Sequence, residues 1–337
     1  MKRKNKSFLF SILISILLTL TIGGHVTAAS KRLIVSNAGN NTLSIIDTAK
    51  NEVINTLRVG VWPAGIAIDS STKRAYIVNS SEADSTVSVV DLASNSTIAS
   101  IKVGIGPMGI VLDSSAGVGY SANSEHIVDG KNLSKTLSVI DLKTNKVNKT
   151  IEVGVGPFDL KIINEKIFVS NSGEWTVAVV DTKSHKVLEK IKVVDTPLGV
   201  AVDRGKKKVY VAIHGKGMVS VIDADTNKEI GTIKVGKSAW YIDIDQAKNM
   251  AYVTRREDNA VAVIDTKTDK VIADIKVGKG PIGIVVDSDN NRAYVANHEG
   301  VSVSIIDTTK NEVVGNIKLS PATDSAYSGS PWGIAIY

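Results

Sequence analysis

One pattern occurs seven times along this chain of 337 residues, and it constrains the fold more than any other feature. Each copy has an apolar segment usually ending in Asn, an alternating segment ending in Asp, and a turn of the form Val-Gly-x-x-Pro-x-Gly-Ile. Equivalent positions in the first segment are separated by 42, 44, 48, 42, 42 and 42 residues. This period is typical of β-propeller blades, which are four-stranded antiparallel sheets. The Asp position is occupied by Asp47, Asp91, Asp141, Asp181, Asp223, Asp265 and Asp307, and the Pro position by Pro63, Pro107, Pro157, Pro197, Ala239, Pro281 and Pro331.

The four strands of a blade can be read from the fifth copy, where short apolar or alternating segments are separated by Asp, Asn, Gly or Lys. The pattern predicts strands at Leu198–Asp203, Lys208–Ile213, Met218–Asp223 and Lys228–Lys234. No helical periodicity is found beyond the first 29 residues. The chain is therefore predicted to be all-β.

The two ends of the repeat array complement each other. The array begins with the second strand of a blade, at Arg32–Asn37, and ends with the first strand of a blade, at Trp332–Tyr337. An open solenoid would instead need polar caps at both ends. We therefore predict a seven-bladed β-propeller of four-stranded antiparallel blades, with the C-terminal strand completing the N-terminal blade. Because a closed ring has no need of a further sheet partner, a monomer is expected.

The repeat motifs resemble a known family. Ala-Tyr-Val-Thr at 251–254 and Ala-Tyr-Val-Ala-Asn at 293–297, together with the recurring Val-Ile-Asp, resemble the YVTN-repeat β-propellers, which include archaeal surface-layer proteins. The resemblance covers residues 32–337 and implies the propeller fold and an exported protein of binding or unknown function. More distant sevenfold relatives include the streptogramin lyases and the haem d1 and quinoprotein propellers.

The first 29 residues have the features of a secretory signal peptide. Lys2, Arg3, Lys4 and Lys6 precede an apolar run from Phe8 to Ile22, and small residues surround Ala28. This pattern predicts export and cleavage near Ala28 or Ala29, with the propeller at residues 30–337. An uncleaved membrane anchor is the alternative, since the apolar run nearly reaches spanning length. The expected localisation is secreted or at the cell surface.

Composition excludes several classes of site. The chain has no cysteine, so disulfides, thiolate nucleophiles, cysteine metal sites and covalently attached haem are excluded. The formal charge of +6 falls to +2 without the predicted signal segment, so charge gives no general argument for nucleic acid or anionic membranes. No nucleophile elbow or paired-histidine metal spacing is found, and the Asp column is read as turn caps, so no metal or cofactor is predicted.

Length variation among the repeats points to one face of the disc. The segment from Asn to Asp grows from 10 residues to 12 between Asn79 and Asp91 and to 18 between Asn123 and Asp141. The distance from Pro281 to Pro331 is 50 residues rather than 42. All three insertions lie in connections that share one face, which we call the top face. Insertions concentrated on one face are typical of a binding face.

Large and ionisable residues are also predicted on the top face. The residues after the proline column, Ala64, Met108, Phe158, Leu198, Trp240, Ile282 and Trp332, form either an apolar collar or packing between blades. Asp159 and Tyr241 replace the usual glycine. The loops add Glu125, His126, Glu174, Trp175, Lys216 and Glu257, which ordinary solvation also explains. The candidate ligand-binding residues are Trp62, Trp240, Tyr241, Trp332, His214, Arg255, Arg256 and His298.

Three functions follow from these features. The first is an exported scaffold whose top face recognises a protein, a glycan or a wall polymer. The second, implied by the streptogramin lyases, is a metal-dependent lyase that would use His214, His298 and Glu299. The third is binding of single-stranded nucleic acid by aromatic and Arg side chains, which the low net charge disfavours. A membrane partner is expected only if the signal segment is retained.

Overall fold

The computed structural model describes residues 31–124, 134–319 and 329–337. The predicted signal segment, together with Glu125 and His126, lies outside the described residues. Apart from one turn of 3-10 helix at Ala38–Asn40, the regular structure of the described residues consists of β-strands. No helix in these three ranges is long and apolar enough to span a lipid bilayer.

The strands form seven antiparallel sheets of four strands each, arranged in a ring. Blade 1 contains β28 (Pro331–Ile336), β1 (Arg32–Asn37), β2 (Thr42–Asp47) and β3 (Glu52–Arg58). Blade 2 contains β4 (Pro63–Asp69), β5 (Arg74–Asn79), β6 (Thr86–Asp91) and β7 (Ser96–Lys102). Blade 3 contains β8 (Pro107–Asp113), β9 (Val118–Asn123), β10 (Thr136–Asp141) and β11 (Lys146–Glu152).

The other four blades repeat this arrangement. Blade 4 contains β12 (Pro157–Ile163), β13 (Lys166–Asn171), β14 (Thr176–Asp181) and β15 (Val187–Lys192). Blade 5 contains β16 (Pro197–Asp203), β17 (Lys208–Ile213), β18 (Met218–Asp223) and β19 (Lys228–Lys234). Blade 6 contains β20 (Ala239–Asp245), β21 (Met250–Arg255), β22 (Ala260–Asp265) and β23 (Lys270–Lys276). Blade 7 contains β24 (Pro281–Asp287), β25 (Arg292–Asn297), β26 (Ser302–Asp307) and β27 (Glu312–Lys318).

The predicted ring closure is confirmed. The C-terminal strand β28 pairs antiparallel with β1, with Leu33 opposite Ile336 and Val35 opposite Ile334. The same strand packs between the innermost strands of blades 7 and 2, β24 and β4. The two ends of the chain therefore build one blade together, and the ring has no open end.

The core lies between blades rather than inside any one of them. Successive side chains of the middle strands point to opposite faces of each sheet, and both faces are covered by a neighbouring blade. For example, Tyr210 and Val221 of blade 5 pack with Ile242 and Val253 of blade 6. This explains why the second and third strands of every blade are almost continuously buried. The outermost strands, by contrast, are mostly exposed to solvent.

Glycine allows the innermost strands to approach each other around the axis. Five blades carry glycine two positions after the start of the innermost strand, where a Cβ atom would collide with the backbone of the next blade. At Gly65, for instance, the Cβ would lie 2.6 Å from the carbonyl oxygen of Met108. A hydroxyl in the second strand adds a hydrogen bond across the same gap, as Ser36 Oγ donates to the Ala64 carbonyl at 2.7 Å. The glycines are Gly65, Gly109, Gly199, Gly283 and Gly333.

The Asp column closes turns on the opposite, bottom face. Asp223 Oδ1 accepts the backbone N–H groups of Asp225 at 3.1 Å and Thr226 at 2.7 Å, and the other blades repeat this arrangement. These hydrogen bonds stabilise the charged carboxylate and lower the pKa below the ordinary 3.8 at Asp91, Asp141, Asp181, Asp223, Asp265 and Asp307. The reading of this column as turn caps is confirmed.

We predict that Gly283→Ala lowers the free energy of unfolding by about 1–3 kcal/mol, the usual cost of overpacking. Its Cβ would meet the Trp332 carbonyl oxygen of blade 1, at the junction where the two chain ends close the ring. The matched control is Gly231→Ala on outer strand β19, where no heavy atom lies within 4 Å. Urea unfolding should leave the control within about 0.5 kcal/mol of the parent. Equal stability of the two variants would contradict the close approach.

We also predict that stability falls in acid because of the Asp column. A folded-state pKa below 3.8 means that the unfolded chain binds more protons, so stability present above about pH 4 is lost as the pH falls through the folded-state values. Combining Asp141→Asn, Asp223→Asn and Asp265→Asn keeps an acceptor oxygen at each turn but removes three titrating groups. Urea midpoints measured from pH 6 to pH 2.5 should decline less steeply for this variant. Identical pH profiles would refute the assignment.

Candidate functional site

A backbone hydrogen bond fixes one residue per blade at the top of the ring. In every blade the residue after the second strand donates its N–H to the carbonyl of the residue that precedes the innermost strand, at 2.8–3.0 Å. This position is small in blades 1 to 4 and large in the next three. The residues in blade order are Ala38, Ser80, Ser124, Ser172, His214, Arg256 and His298. Blades 5 to 7 therefore present three adjacent ionisable side chains on an identical backbone.

An apolar cluster fills the top of the axis. Trp240 and Trp332 pack edge to face, with ring centres 5.6 Å apart. Phe158 packs against Trp240 at 6.1 Å and against Tyr241 at 5.9 Å. Ala64, Met108 and Leu198 join the same cluster. We call the cluster of these six residues, Ala64, Met108, Phe158, Leu198, Trp240 and Trp332, the plug; Tyr241 lies below it. The residues after the proline column are thus mainly packed, and only parts of Trp240 and Trp332 remain accessible.

Each of the two top-face histidines packs against a different tryptophan. His214 lies edge-on to Trp240 and His298 to Trp332, each with ring centres 5.4 Å apart. Nδ1 of His298 lies 3.2 Å from the carbonyl oxygen of Pro331, which only accepts, so this nitrogen carries a hydrogen. Burial lowers the pKa of both imidazoles, and the nearby positive charge of Arg256 lowers it further. Both rings are therefore neutral at pH 7.

Beside the plug lies a depression of about 400 Å³. Arg256 crosses it, with its guanidinium carbon 5.4 Å from the centre of the Trp240 ring and Nη2 3.3 Å from Glu299 Oε1. Lys279 Nζ lies 3.5 Å from the other oxygen of Glu299. Exposed ion pairs of this kind are weak, so an incoming polar ligand can exchange for them. The depression is lined by His214, Ser238, Trp240, Arg256, Glu257, Asn259, Lys279 and Glu299.

The structure places Arg255 elsewhere. Its side chain is only 8% exposed and points into the blade, where Nη1 donates to the Val235 carbonyl at 2.8 Å and lies 3.0 Å from Asp258. Nη2 pairs with Asp274. Arg255 fills the position that Asn79 occupies in blade 2, where the amide bonds Thr86 and Ser88. Both Nη atoms are therefore engaged inside the blade, although Nε is buried without a hydrogen-bond partner, and Arg255 does not line the depression, contrary to the expectation that it binds a ligand there.

Tyr241 also lies away from the depression. It belongs to innermost strand β20, its backbone N–H donates to Thr254 Oγ1 at 3.0 Å, and its ring lies against Phe158 on the axial channel below the plug. Burial raises the pKa of its hydroxyl, so the phenol stays neutral.

All four tryptophans of the chain belong to top-face connections or to the upper ends of innermost strands. Trp62 precedes β4 and is 41% exposed, and Trp175 lies between β13 and β14 and is 50% exposed. Trp62 borders an apolar crevice with Met108 and Trp332. Trp62 thus lies beside Trp332, which packs on Trp240 within the plug. The sequence does not identify Ser238, Asn259 and Lys279 as site residues, because their segments have the pattern of ordinary turns.

The described residues contain no group of three His, Asp or Glu side chains that could hold a metal ion. His214 and His298 do not share a tryptophan, and Glu299 pairs with Arg256 and Lys279. Among the described residues, His214, His298 and Glu299 therefore do not form the metal site that the lyase alternative requires.

We predict opposite outcomes for two adjacent arginines. Arg255→Ala should lower the free energy of unfolding by about 1.5–3 kcal/mol, because it removes charged hydrogen bonds to Asp258, Asp274 and the Val235 carbonyl. Arg256→Ala should cost less than about 1 kcal/mol, because its contacts are partly exposed. Urea unfolding of the two variants measures this difference. A larger loss for Arg256→Ala would reverse the assignment.

No protein-family model matches the sequence, and neither does any curated protein. Solved structures with a similar fold include hydrazine synthase from Kuenenia stuttgartiensis, at 19% identity and a TM-score of 0.73, over 85% of this chain and 98% of that one. A functionally unknown protein from Desulfotomaculum acetoxidans matches at 13% identity and a TM-score of 0.75, over 91% of this chain and 99% of that one. A putative 6-phosphogluconolactonase from Bacteroides fragilis matches at 14% identity and a TM-score of 0.74, over 93% of this chain and 99% of that one. At such identities the likeness shows the seven-bladed β-propeller fold alone.

Proposed function

We propose that this protein is an exported β-propeller scaffold that recognises a glycan, such as a polymer of the cell wall, through its top face. The observation that carries the proposal is the placement of all four tryptophans on that face, two of them 41% and 50% exposed. Exposed tryptophan is costly to keep in water, and aromatic residues are enriched where surfaces bind partners. No tryptophan lies on the bottom face in the described residues.

The chemistry of the depression suits a sugar. The C–H faces of a sugar ring pack on indole rings, and its hydroxyls both donate and accept hydrogen bonds. Trp240 supplies an indole ring, and Glu257, Asn259 and Glu299 supply acceptors. Arg256 and Lys279 supply donors. Because the cations and anions balance, the site favours a neutral or weakly charged polar ligand over a strongly charged one.

Export, family and assembly belong to the same proposal. The positive and apolar segments of residues 1–29 support secretion with loss of this segment, and we propose that the propeller acts at the cell surface or outside the cell. The Ala-Tyr-Val motifs support membership of the YVTN-repeat family. The closed ring supports a monomer, since blade 1 is completed within the chain. A protein ligand is the alternative occupant of the same surface.

The test measures binding of chitohexaose and of solubilised peptidoglycan to residues 30–337, with intrinsic tryptophan fluorescence as the readout. Arg256→Ala and Trp240→Leu should each weaken binding about tenfold, because a hydrogen bond or an apolar contact of about 1.4 kcal/mol is lost. Trp62→Ala reports on the neighbouring crevice and should weaken binding of the polymer more than that of the oligosaccharide.

The matched control is Lys207→Ala, which removes an exposed bottom-face cation that pairs with Asp225 at 2.8 Å. This variant should bind as the parent does. Equal affinities for the parent and all three top-face variants would refute the site. Absence of binding to both glycans would refute the ligand class.

A further inference from the structure

A second cavity lies along the axis of the ring, below the plug. It has a volume of about 330 Å³, within the range of about 300–1,000 Å³ for small-ligand sites. The cavity begins beneath the plug at Tyr241 and extends to Ser70 and Ile336, at the bottom ends of the innermost strands. Because the plug fills the top, a ligand would enter from the bottom face.

Apart from Ser70, which follows β4, the polar side chains that line this channel belong to two of the seven innermost strands. Five strands carry glycine followed two residues later by alanine or valine. Strand β12 instead carries Asp159 and Lys161, and strand β20 carries Tyr241 and Asp243. Both strands that lose the glycine thus gain two polar channel residues in the same register. A purely architectural channel would not need this paired departure.

The charge of Asp159 is already balanced. Its carboxylate is almost fully buried and accepts the backbone N–H groups of Leu160 and Val200, each at 2.9 Å. Lys161 Nζ lies 3.3 Å from Oδ1 of the same residue. This group therefore forms a complete ion pair that also joins blades 4 and 5.

Asp243 is not balanced in this way. Its carboxylate accepts the N–H groups of Val286 at 2.8 Å and Ile244 at 2.9 Å, but among the described residues no Lys, Arg or His nitrogen forms an ion pair with it. Burial raises the pKa of Asp243 and the charge of Asp245 adds to this, while the two backbone hydrogen bonds and the charge of Lys161 oppose it. A cation placed beside Asp243 would restore its ordinary ionisation.

The other side of the channel is hydrocarbon. Ile66, Ile110 and Ile334 line it from blades 2, 3 and 1. The cavity thus has two carboxylates, one ammonium and a neutral phenol on one side and aliphatic side chains on the other. A ligand with one cationic end and an apolar body satisfies both sides, whereas an anion would meet two carboxylates.

We propose that the axial channel binds a small primary alkylammonium compound, with its ammonium group at Asp243 and Tyr241 and its hydrocarbon along Ile66, Ile110 and Ile334. Three donor hydrogens of the ammonium group suit the remaining lone pairs of the Asp243 carboxylate and the oxygen of Tyr241. Neither this proposal nor its test rests on the glycan proposal.

The test compares three probes of equal length, n-pentylamine, pentan-1-ol and pentanoate, by saturation-transfer NMR with residues 30–337. The amine should bind at least tenfold more tightly than the alcohol and the acid. Asp243→Asn, which keeps the size and an acceptor oxygen, should weaken amine binding at least tenfold. The control is Asp225→Asn, an exposed bottom-face carboxylate outside the channel, which should leave amine binding unchanged.

A second variant keeps the proposal decidable if Asp243→Asn does not fold, as judged by circular dichroism. Lys161→Met removes the competing ammonium group and frees Asp159, so amine binding should become several-fold tighter. Amine binding that is no tighter than alcohol binding would overturn the proposal, and so would unchanged or weaker binding in Lys161→Met. Tighter binding of Ca²⁺ than of the amine would also overturn it, in favour of an inorganic cation.

Discussion

The close approach of seven innermost strands around one axis is the constraint on which the rest of this structure depends. Each strand must pass within contact distance of the next blade, and a Cβ at Gly65 or Gly109 would collide with a neighbouring carbonyl. The hydroxyls of Ser170 and Thr254 bridge the same gap by donating to carbonyls of the next blade at 2.6 and 2.7 Å. Because a ring with seven such gaps closes only if every gap is short, β28 has to complete blade 1 in register. The Gly, Ser and Thr positions of the repeat are therefore set by geometry.

The same constraint gives a way to separate architecture from function. A residue that recurs in all blades serves the ring, so departures from the repeat are where function is sought. His214, Arg256 and His298 are such departures, and their backbone positions are identical to those of Ser80 and its equivalents. Arg255 shows the limit of this reasoning, because it departs from the repeat yet completes the interior of its blade. A departure indicates function only where its side chain reaches a cavity.

The fold could be predicted closely because each strand is marked by a local residue pattern. Ring closure could be predicted because the strands at the two ends of the repeat array together complete one blade. In blade 5 the only difference from the predicted strands is that β16 begins at Pro197 rather than Leu198. The assignment of loops to the top face could also be predicted, because successive connections in an antiparallel blade lie on alternate faces. The direction of individual side chains did not follow, since it depends on the adjacent blade. Neither the packing of Trp240 on Trp332 nor the position of Tyr241 below the plug has a signature within its own repeat.

The two cavities share one wall, and this follows from the succession of residues along β20. Trp240 lies in the plug and borders the depression, while Tyr241 and Asp243 line the channel beneath it. Phe158 packs against both aromatic rings. A ligand that displaces Trp240 from above would remove a packing partner of Phe158, which also supports Tyr241. In the innermost strand of blade 6, both the proline and the glycine of the repeat are replaced, by Ala239 and Tyr241. The largest departure from the repeat motif in an innermost strand thus occurs where the two cavities meet.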